Sequence, residues 1–290
     1  MHTNKPSAAL PPWARIEVFD ISHWHVIQGE PGGKDPNKVW VSKDEHSTRE
    51  DWWLWKPQLT TNGADTVPRL NDMAEVVSSR LAEKIDLPAA RCEIAVRNGQ
   101  PGSISRSIAP HPMNLSSGDM WVAENVLPEV SELLNGLHGH GKCSDMTAFE
   151  VFAGYLVLDA WIANTDRHGG NWGVLHPGSI DSCDVLAPAF DHGAALGSGL
   201  PDSRRAPHMV KSFCDKGKSR SFRKQPLLDL ARDAVEMSGA TWWVDRVAAV
   251  PPAFWQGIVT SIDGVSEVAS SFTIDVLATN QERVSGLCRP

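Results

Sequence analysis

Three polar side chains with complementary chemistry, Asp166, His168 and Asn171, fall within the stretch NTDRHGGNWGVLH. A further aspartate, Asp191, follows an apolar run in LAPAFDHGAALG. Gly169 and Gly170 allow a tight turn between the first aspartate and the asparagine, so both side chains can face one cavity. A hairpin starting at Asn171 returns Asp191 to the same place. A carboxylate free to accept a proton, an amide oxygen and a second carboxylate make a good set for Mg²⁺. That ion takes hard oxygen ligands and shares its shell with phosphates and water. Phosphoryl transfer needs this division of labour, with one group positioning the nucleophile and others holding a metal that neutralises phosphate charge. An isolated Asp or Asn after a helix is commonly a cap or turn residue. The ordered set of helix, D-x-x-x-x-N loop, hairpin and D-x-G is far more specific.

The surrounding pattern supplies elements to carry these groups. TAFEVFAGYLVLDAWIAN is apolar on nearly every side and reads as a buried central helix ending where the loop begins. NWGVLH is expected to be a short strand, and VLAPAF a second strand that delivers Asp191. LLDLARDAVEM, TWWVDRVAAV and AFWQGIVTSI read as further helices. Earlier in the chain KVWVS, WWLWKP and RCEIAV have strand character, and IQGEPGGKDPNK is a glycine-bearing turn of hairpin type. Leu70, Met73, Ala74, Val77, Leu81 and Ile85 recur at helical spacing, with Pro88 beyond the end. A small β-rich part followed by a mainly helical part, with a boundary near residues 105 to 110, makes the fold class α+β.

The residues from Asp166 to Asn171, followed by Asp191-His192-Gly193, resemble the catalytic loop and metal segment of the protein-kinase-like fold. The fuller text ANTDRHGGNWGVL…LAPAFDHGAALG is similar to the HipA-like serine/threonine kinase family. Asp166-Arg167-His168-Gly169-Gly170-Asn171 also matches the D-R-H-x-x-N loop of phosphoinositide kinases. The resemblance implies two lobes, with residues 1–106 carrying a glycine-rich loop and an ATP-binding lysine, and residues 107–290 carrying the catalytic and metal-binding loops. It implies ATP and Mg²⁺ as cofactors, Asp166 as the catalytic aspartate, and Asn171 and Asp191 as metal ligands. His168 would either stabilise the loop or meet the transferred phosphate. The sequence departs from protein kinases in having Asn164-Thr165 before the aspartate and His192 in place of the D-F-G phenylalanine.

A kinase also needs a cation over the α and β phosphates and a carboxylate to hold it. Lys56 at the end of WWLWKP and Glu75 on the next helix fit that pair, and with the later motifs present this reading is favoured over the alternative that Glu75, on a helix side with Asn71, Asp72 and Ser79, is a solvated residue. Gly32 and Gly33 would bring backbone N–H groups to phosphate oxygens. The turn lacks the serine that some HipA-like toxins phosphorylate there. The expected acceptor is a Ser or Thr hydroxyl on a protein substrate. The alternatives are a small-molecule or phosphoinositide kinase and a nucleotide-binding pseudokinase. Kinship with HipA-like toxins also suggests an antitoxin or other regulator as partner.

Composition narrows the classes. A formal net charge of -8 over 290 residues disfavours direct nucleic-acid binding. Five scattered cysteines without a C-x-x-C pair suit a reducing cytoplasm, and no stretch reads as a membrane span or signal peptide. LHGHGKC matches no zinc spacing. Between Arg204 and Lys224 the charge reverses locally, with eight basic residues against Asp215 alone. That segment is either a solvated loop or a patch for an acidic protein substrate or a phosphorylated serine.

Overall fold

The computed structural model describes residues 10–28, 37–61, 67–178 and 183–288. Gly32 and Gly33 lie outside the described residues. Six strands form the first sheet: β1 Val18–Asp20, β2 His25–Val26, β3 Val39–Ser42, β4 Trp53–Pro57, β5 Cys92–Arg97 and β6 Gln100–Arg106. Their order is β1-β5-β6-β4-β3-β2, antiparallel throughout except for the parallel β1–β5 pair. β4 and β6 pair with Trp55 opposite Ile104 and Lys56 opposite Ser103. Alternation of side chains sends Trp55, with Ile21, Trp24, Val41, Ala95 and Ile104, into a small cluster of its own. Gly102 on β6 permits this close packing, because a Cβ there would come within 2.7 Å of the Trp55 ring.

Helix α1, Asn71–Lys84, lies between this sheet and the helical part, and nearly all of it is buried. The helical spacing of Met73, Val77 and Leu81 is met by the large core. Its other side is also covered, and most of the polar residues there find partners inside the protein, Ser78 Oγ being buried without one among the described residues. Asn71 Oδ1 accepts from the Leu59 N–H, the Asp72 carboxylate from Gln58, and Ser79 donates to the Ala90 carbonyl. Arg80, fully buried, pairs with Glu93.

Beyond β6 the chain forms β7 Asn114–Ser117, α2 Leu127–Leu134, α3 Ala148–Trp161, β8 Gly173–His176 and β9 Val185–Leu186. The helices α4 Val210–Lys216, α5 Leu227–Ser238, α6 Trp242–Ala248, α7 Pro252–Thr260 and α8 Glu267–Ser285 complete the order. α3 is the buried centre that its nearly continuous apolar surface predicts, started by a capping box in which Thr147 and Glu150 satisfy each other's backbone N–H groups. Five tryptophans (Trp55, Trp161, Trp172, Trp243 and Trp255) are core residues, each no more than 2% exposed. Among the described residues no helix is long and apolar enough to cross a membrane.

Two elements differ from the sequence reading. VLAPAF is a strand only over Val185 and Leu186, since Pro188 has no N–H to continue a ladder. Past it, the chain bonds to the segment before β5 instead: Ala189 donates to the Pro88 carbonyl at 2.9 Å, and its own carbonyl accepts from Ala90 at 2.8 Å. These bonds tie the approach to Asp191 to the sheet-bearing half. The sequence reading also names no helix after AFWQGIVTSI, where the longest one, α8, runs. It buries Phe272, Val276, Leu277 and Val284, and clasps the end of α3: Trp161 Nε1 donates to the Leu277 carbonyl, and Asn280 Nδ2 to the Trp161 carbonyl.

Candidate active site

The loop that leaves α3 is organised by a buried ion pair. Asp159 is the one carboxylate in the last two turns of α3, and it is 1% exposed. Arg167 meets it with two bonds of 2.8 Å, Nε to Oδ2 and Nη2 to Oδ1, the bidentate geometry that suits a guanidinium. The same guanidinium donates from Nη1 to the carbonyls of Asn171 at 2.6 Å and Phe190 at 3.3 Å. One side chain therefore joins the central helix, the loop after it and the strand exit that carries Asp191. Asn164 helps: its Nδ2 donates to Asp159 and its Oδ1 accepts from the Asp166 N–H. The sequence carried a signal for this knot, a charged residue within a helix too apolar to be exposed.

Within the loop, Asn171 Nδ2 donates to the Asp166 carbonyl at 2.7 Å. Its Oδ1 accepts no hydrogen bond from the described residues. His168 is exposed and accepts from the Gly170 N–H through Nδ1 at 3.0 Å, which fixes the turn. It does not line the cleft that Asp166 and Asp191 share. Gly169 is required by space, because a Cβ there would fall 1.9 Å from an Asp119 oxygen.

Lys56 comes from β4 and Glu75 from α1, and they meet as the spacing suggests. Lys56 Nζ lies 2.6 Å from Glu75 Oε1 and 3.0 Å from Asp191 Oδ1. Burial works against the Lys56 ammonium, but the Asp191 and Glu75 carboxylates outweigh it and hold its pKa above the ordinary lysine value. Lys56, helped by Lys38 at 3.9 Å from Oδ2, keeps the Asp191 carboxyl well below the usual carboxylate range despite its burial. Glu75 also accepts from the His192 N–H at 3.1 Å, bracing the backbone after Asp191. Asp191 itself has a left-handed backbone, φ 61°, a conformation that costs a non-glycine residue about 1–2 kcal/mol and tends to persist at functional sites. Cys92 lies beneath the pair as an inert thiol, pushed up to about 12 by burial.

These groups open into a cleft of about 280 Å³ lined by Lys38, Lys56, Arg69, Asp166, Asp191 and Arg220, among others. Sequence reasoning passed over Lys38, Arg69 and the position of Arg220. Arg69 has no ion-pair partner among the described residues, and its Nε is buried without a hydrogen bond. Arg220 donates to Asp166 Oδ1 at 2.9 Å. Arg69 has the clearest retrospective signal, a basic residue just ahead of a buried helix. Two hard oxygens of the kind a divalent cation takes are present, Asp191 Oδ2 with Lys38 at 3.9 Å and the uncommitted Asn171 Oδ1; Asp191 lines the cleft, whereas Asn171 is buried and, like His168, is not among its lining residues.

His192 is buried, and its Nε2 lies 3.1 Å from Arg167 Nη2. A guanidinium only donates, so Nε2 accepts and the ring proton sits on Nδ1. Burial, and then the Arg167 cation, hold the His192 pKa well below the ordinary histidine value. In the unfolded chain this histidine binds a proton below about pH 6.5, whereas in the fold it does not until far lower. Its contribution is thus complete above pH 7 and declines as pH falls through the unfolded pKa. As pH falls from 6.5 to 5 the wild type is expected to lose stability more steeply than His192→Phe, by at most about 1 kcal/mol per pH unit. Parallel slopes in urea titrations at stepped pH would contradict the neutral buried ring.

Among solved structures, the chain is similar to the Helicobacter pylori proinflammatory kinase CtkA, with a TM-score of 0.73 and 14% identity over 93% of this chain and 96% of that one. A HipA from Shewanella oneidensis MR-1, solved with HipB and operator DNA, aligns at a TM-score of 0.39 and 11% identity, over 87% of this chain and 57% of its own. No family model matches the sequence, and no curated protein matches it. The long alignment to CtkA establishes the architecture: this chain has a kinase-like α+β fold.

Proposed function

We propose that this protein is an ATP- and Mg²⁺-dependent phosphotransferase that acts on a Ser or Thr hydroxyl of a protein. The observation that carries the reading is the convergence of Lys56, Glu75, Asp191 and Asp166 on one cleft from four separate parts of the chain. When bound, ATP would supply the γ-phosphoryl group and Mg²⁺ would neutralise charge on its oxygens. Asn171 and Asp191 are the residues to hold the metal, and Lys56 the residue to hold phosphate oxygens, kept in place by Glu75. Lys38 and Arg69 add positive charge along the same wall. Asp166 lines the same cleft, and its second oxygen, which accepts no hydrogen bond from the described residues, is the one to receive an incoming hydroxyl. It orients that hydroxyl and takes its proton as the oxygen–phosphorus bond forms and ADP departs. Charges already fixed around the cleft need little rearrangement at the moment of reaction.

Label transfer from γ-labelled ATP tests the proposal. Wild type with Mg²⁺ is expected to label itself or a mixed acceptor protein, and Lys56→Met to do so at least ~100-fold more slowly. Equal transfer by the two proteins would remove Lys56 from the phosphate site. No transfer by wild type to any hydroxyl would remove the reaction.

A further inference from the structure

The basic segment after Asp191 is built, not loose. Residues 217–227 close into a loop through the Leu227 N–H to the Gly217 carbonyl at 3.0 Å and the Ser219 N–H to the Gln225 carbonyl at 2.9 Å. Phe222 plugs it into the core, 2% exposed and 6.3 Å from the Phe152 ring. Phe222, Arg223 and Lys224 all have left-handed backbones, with φ of 46°, 55° and 57°. Three such non-glycine residues in a row persist only where the surroundings dictate them. The Arg220 N–H bonds to the Thr165 carbonyl at 2.8 Å, so the loop is fastened directly to the one bearing Asp166.

Its side chains are all of one sign. GKSRSFRKQPL holds four cations and no carboxylate. Lys218 and Lys224 are exposed and have no ion-pair partner among the described residues, and Arg223 reaches Glu124 only at 3.6 Å, with both side chains largely in solvent. Arg220 is two-thirds exposed and rests on Asp166. An acceptor hydroxyl that approaches Asp166 must share it with this guanidinium. A carboxylate carried by the acceptor would give Arg220 a replacement partner in the same place, whereas a neutral neighbour offers none and a basic one repels it.

Taking the cleft as a phosphotransferase site, we propose that loop 217–227 is its acceptor-docking surface and selects a polypeptide with acidic residues beside the hydroxyl. Arg220 reads the nearest of them. The arrangement favours an extended chain over a compact phosphorylated headgroup. Only Arg220 of the four cations lines the cleft, while Arg223 lines a separate groove of about 490 Å³ with Val126, Leu127 and Met237. A headgroup needs donors that converge, and these four are divided between the cleft, the second groove and the open surface.

The test compares serine peptides flanked by Glu, Ala or Lys, together with phosphatidylcholine vesicles containing phosphatidylinositol 4-phosphate, as acceptors for label from ATP. The Glu peptide is expected to exceed the Ala peptide about tenfold in kcat/KM, the sum of a few exposed ion pairs, and the margin is expected to shrink as salt rises. Lys218→Glu/Lys224→Glu is expected to invert the order in favour of the Lys peptide, a gain that a misfolded variant could not show. Arg220→Gln is expected to narrow the Glu-to-Ala ratio whatever it does to the absolute rate. Equal use of the three peptides, an unchanged order in the double variant, or label confined to lipid would overturn the inference while leaving the phosphotransferase standing. Absence of label from every acceptor, the protein itself included, would overturn both.

Discussion

Asp166→Asn is expected to fold and to bind nucleotide as the wild type does, yet to transfer phosphate ~10²–10⁴-fold more slowly. The substitution preserves shape. An asparagine still offers an oxygen to Arg220, and the backbone carbonyl that receives Asn171 Nδ2 is untouched. What disappears is a group able to take a proton. The ion pair it weakens is largely in solvent, since Arg220 is two-thirds exposed, so the stability change should stay within about 1 kcal/mol. Single-turnover label transfer alongside thermal unfolding separates the two effects. A variant within threefold of wild type would move the base elsewhere in the cleft.

Asp191→Asn should be as damaging for a different reason. Asparagine tolerates the left-handed backbone at this position, so the loop is expected to keep its course. The lost charge is the one paired with Lys56 at 3.0 Å and approached by Lys38. Without it the cleft becomes more positive: metal-free ATP should bind at least as tightly as before, while assistance from Mg²⁺ is lost. A metal's stabilisation of the transferring phosphate is worth several kcal/mol, on the order of 10³-fold in rate. Transfer measured across a Mg²⁺ titration is expected to be near zero and flat. A variant that retained a normal Mg²⁺ dependence would show that Asp191 is not the metal's ligand.

Much of this site was legible because its chemistry is written in short spacings. Asp166 and Asn171 are joined by one tight loop, and once the later motifs resembled a kinase, the lysine ending the strand WWLWKP was the one to seek a partner on the next helix. Other parts were hidden because tertiary burial reverses what local pattern suggests. The polar side of α1 left a solvated reading of Glu75 open beside the favoured pair with Lys56, and in the fold Asn71, Asp72 and Glu75 are all covered and bonded internally. Helix α8 has no clear apolar stripe because polar Thr273 and Asn280 share its buried face. The Arg167–Asp159 knot links residues whose partnership depends on how a loop folds back under a helix, and no periodicity encodes that. Charge counting located the basic segment but could not tell a solvated loop from one fastened to Asp166 through Arg220.

The most direct measurement is a calorimetric titration of ATP into the wild type and into Asp191→Asn, each with Mg²⁺ and with chelator. Wild-type binding should tighten at least tenfold when Mg²⁺ is added, and Asp191→Asn should show the same affinity in both buffers. If wild type binds no ATP, or if Mg²⁺ tightens binding equally in both proteins, the cleft between Lys56 and Asp166 is not a metal–nucleotide site.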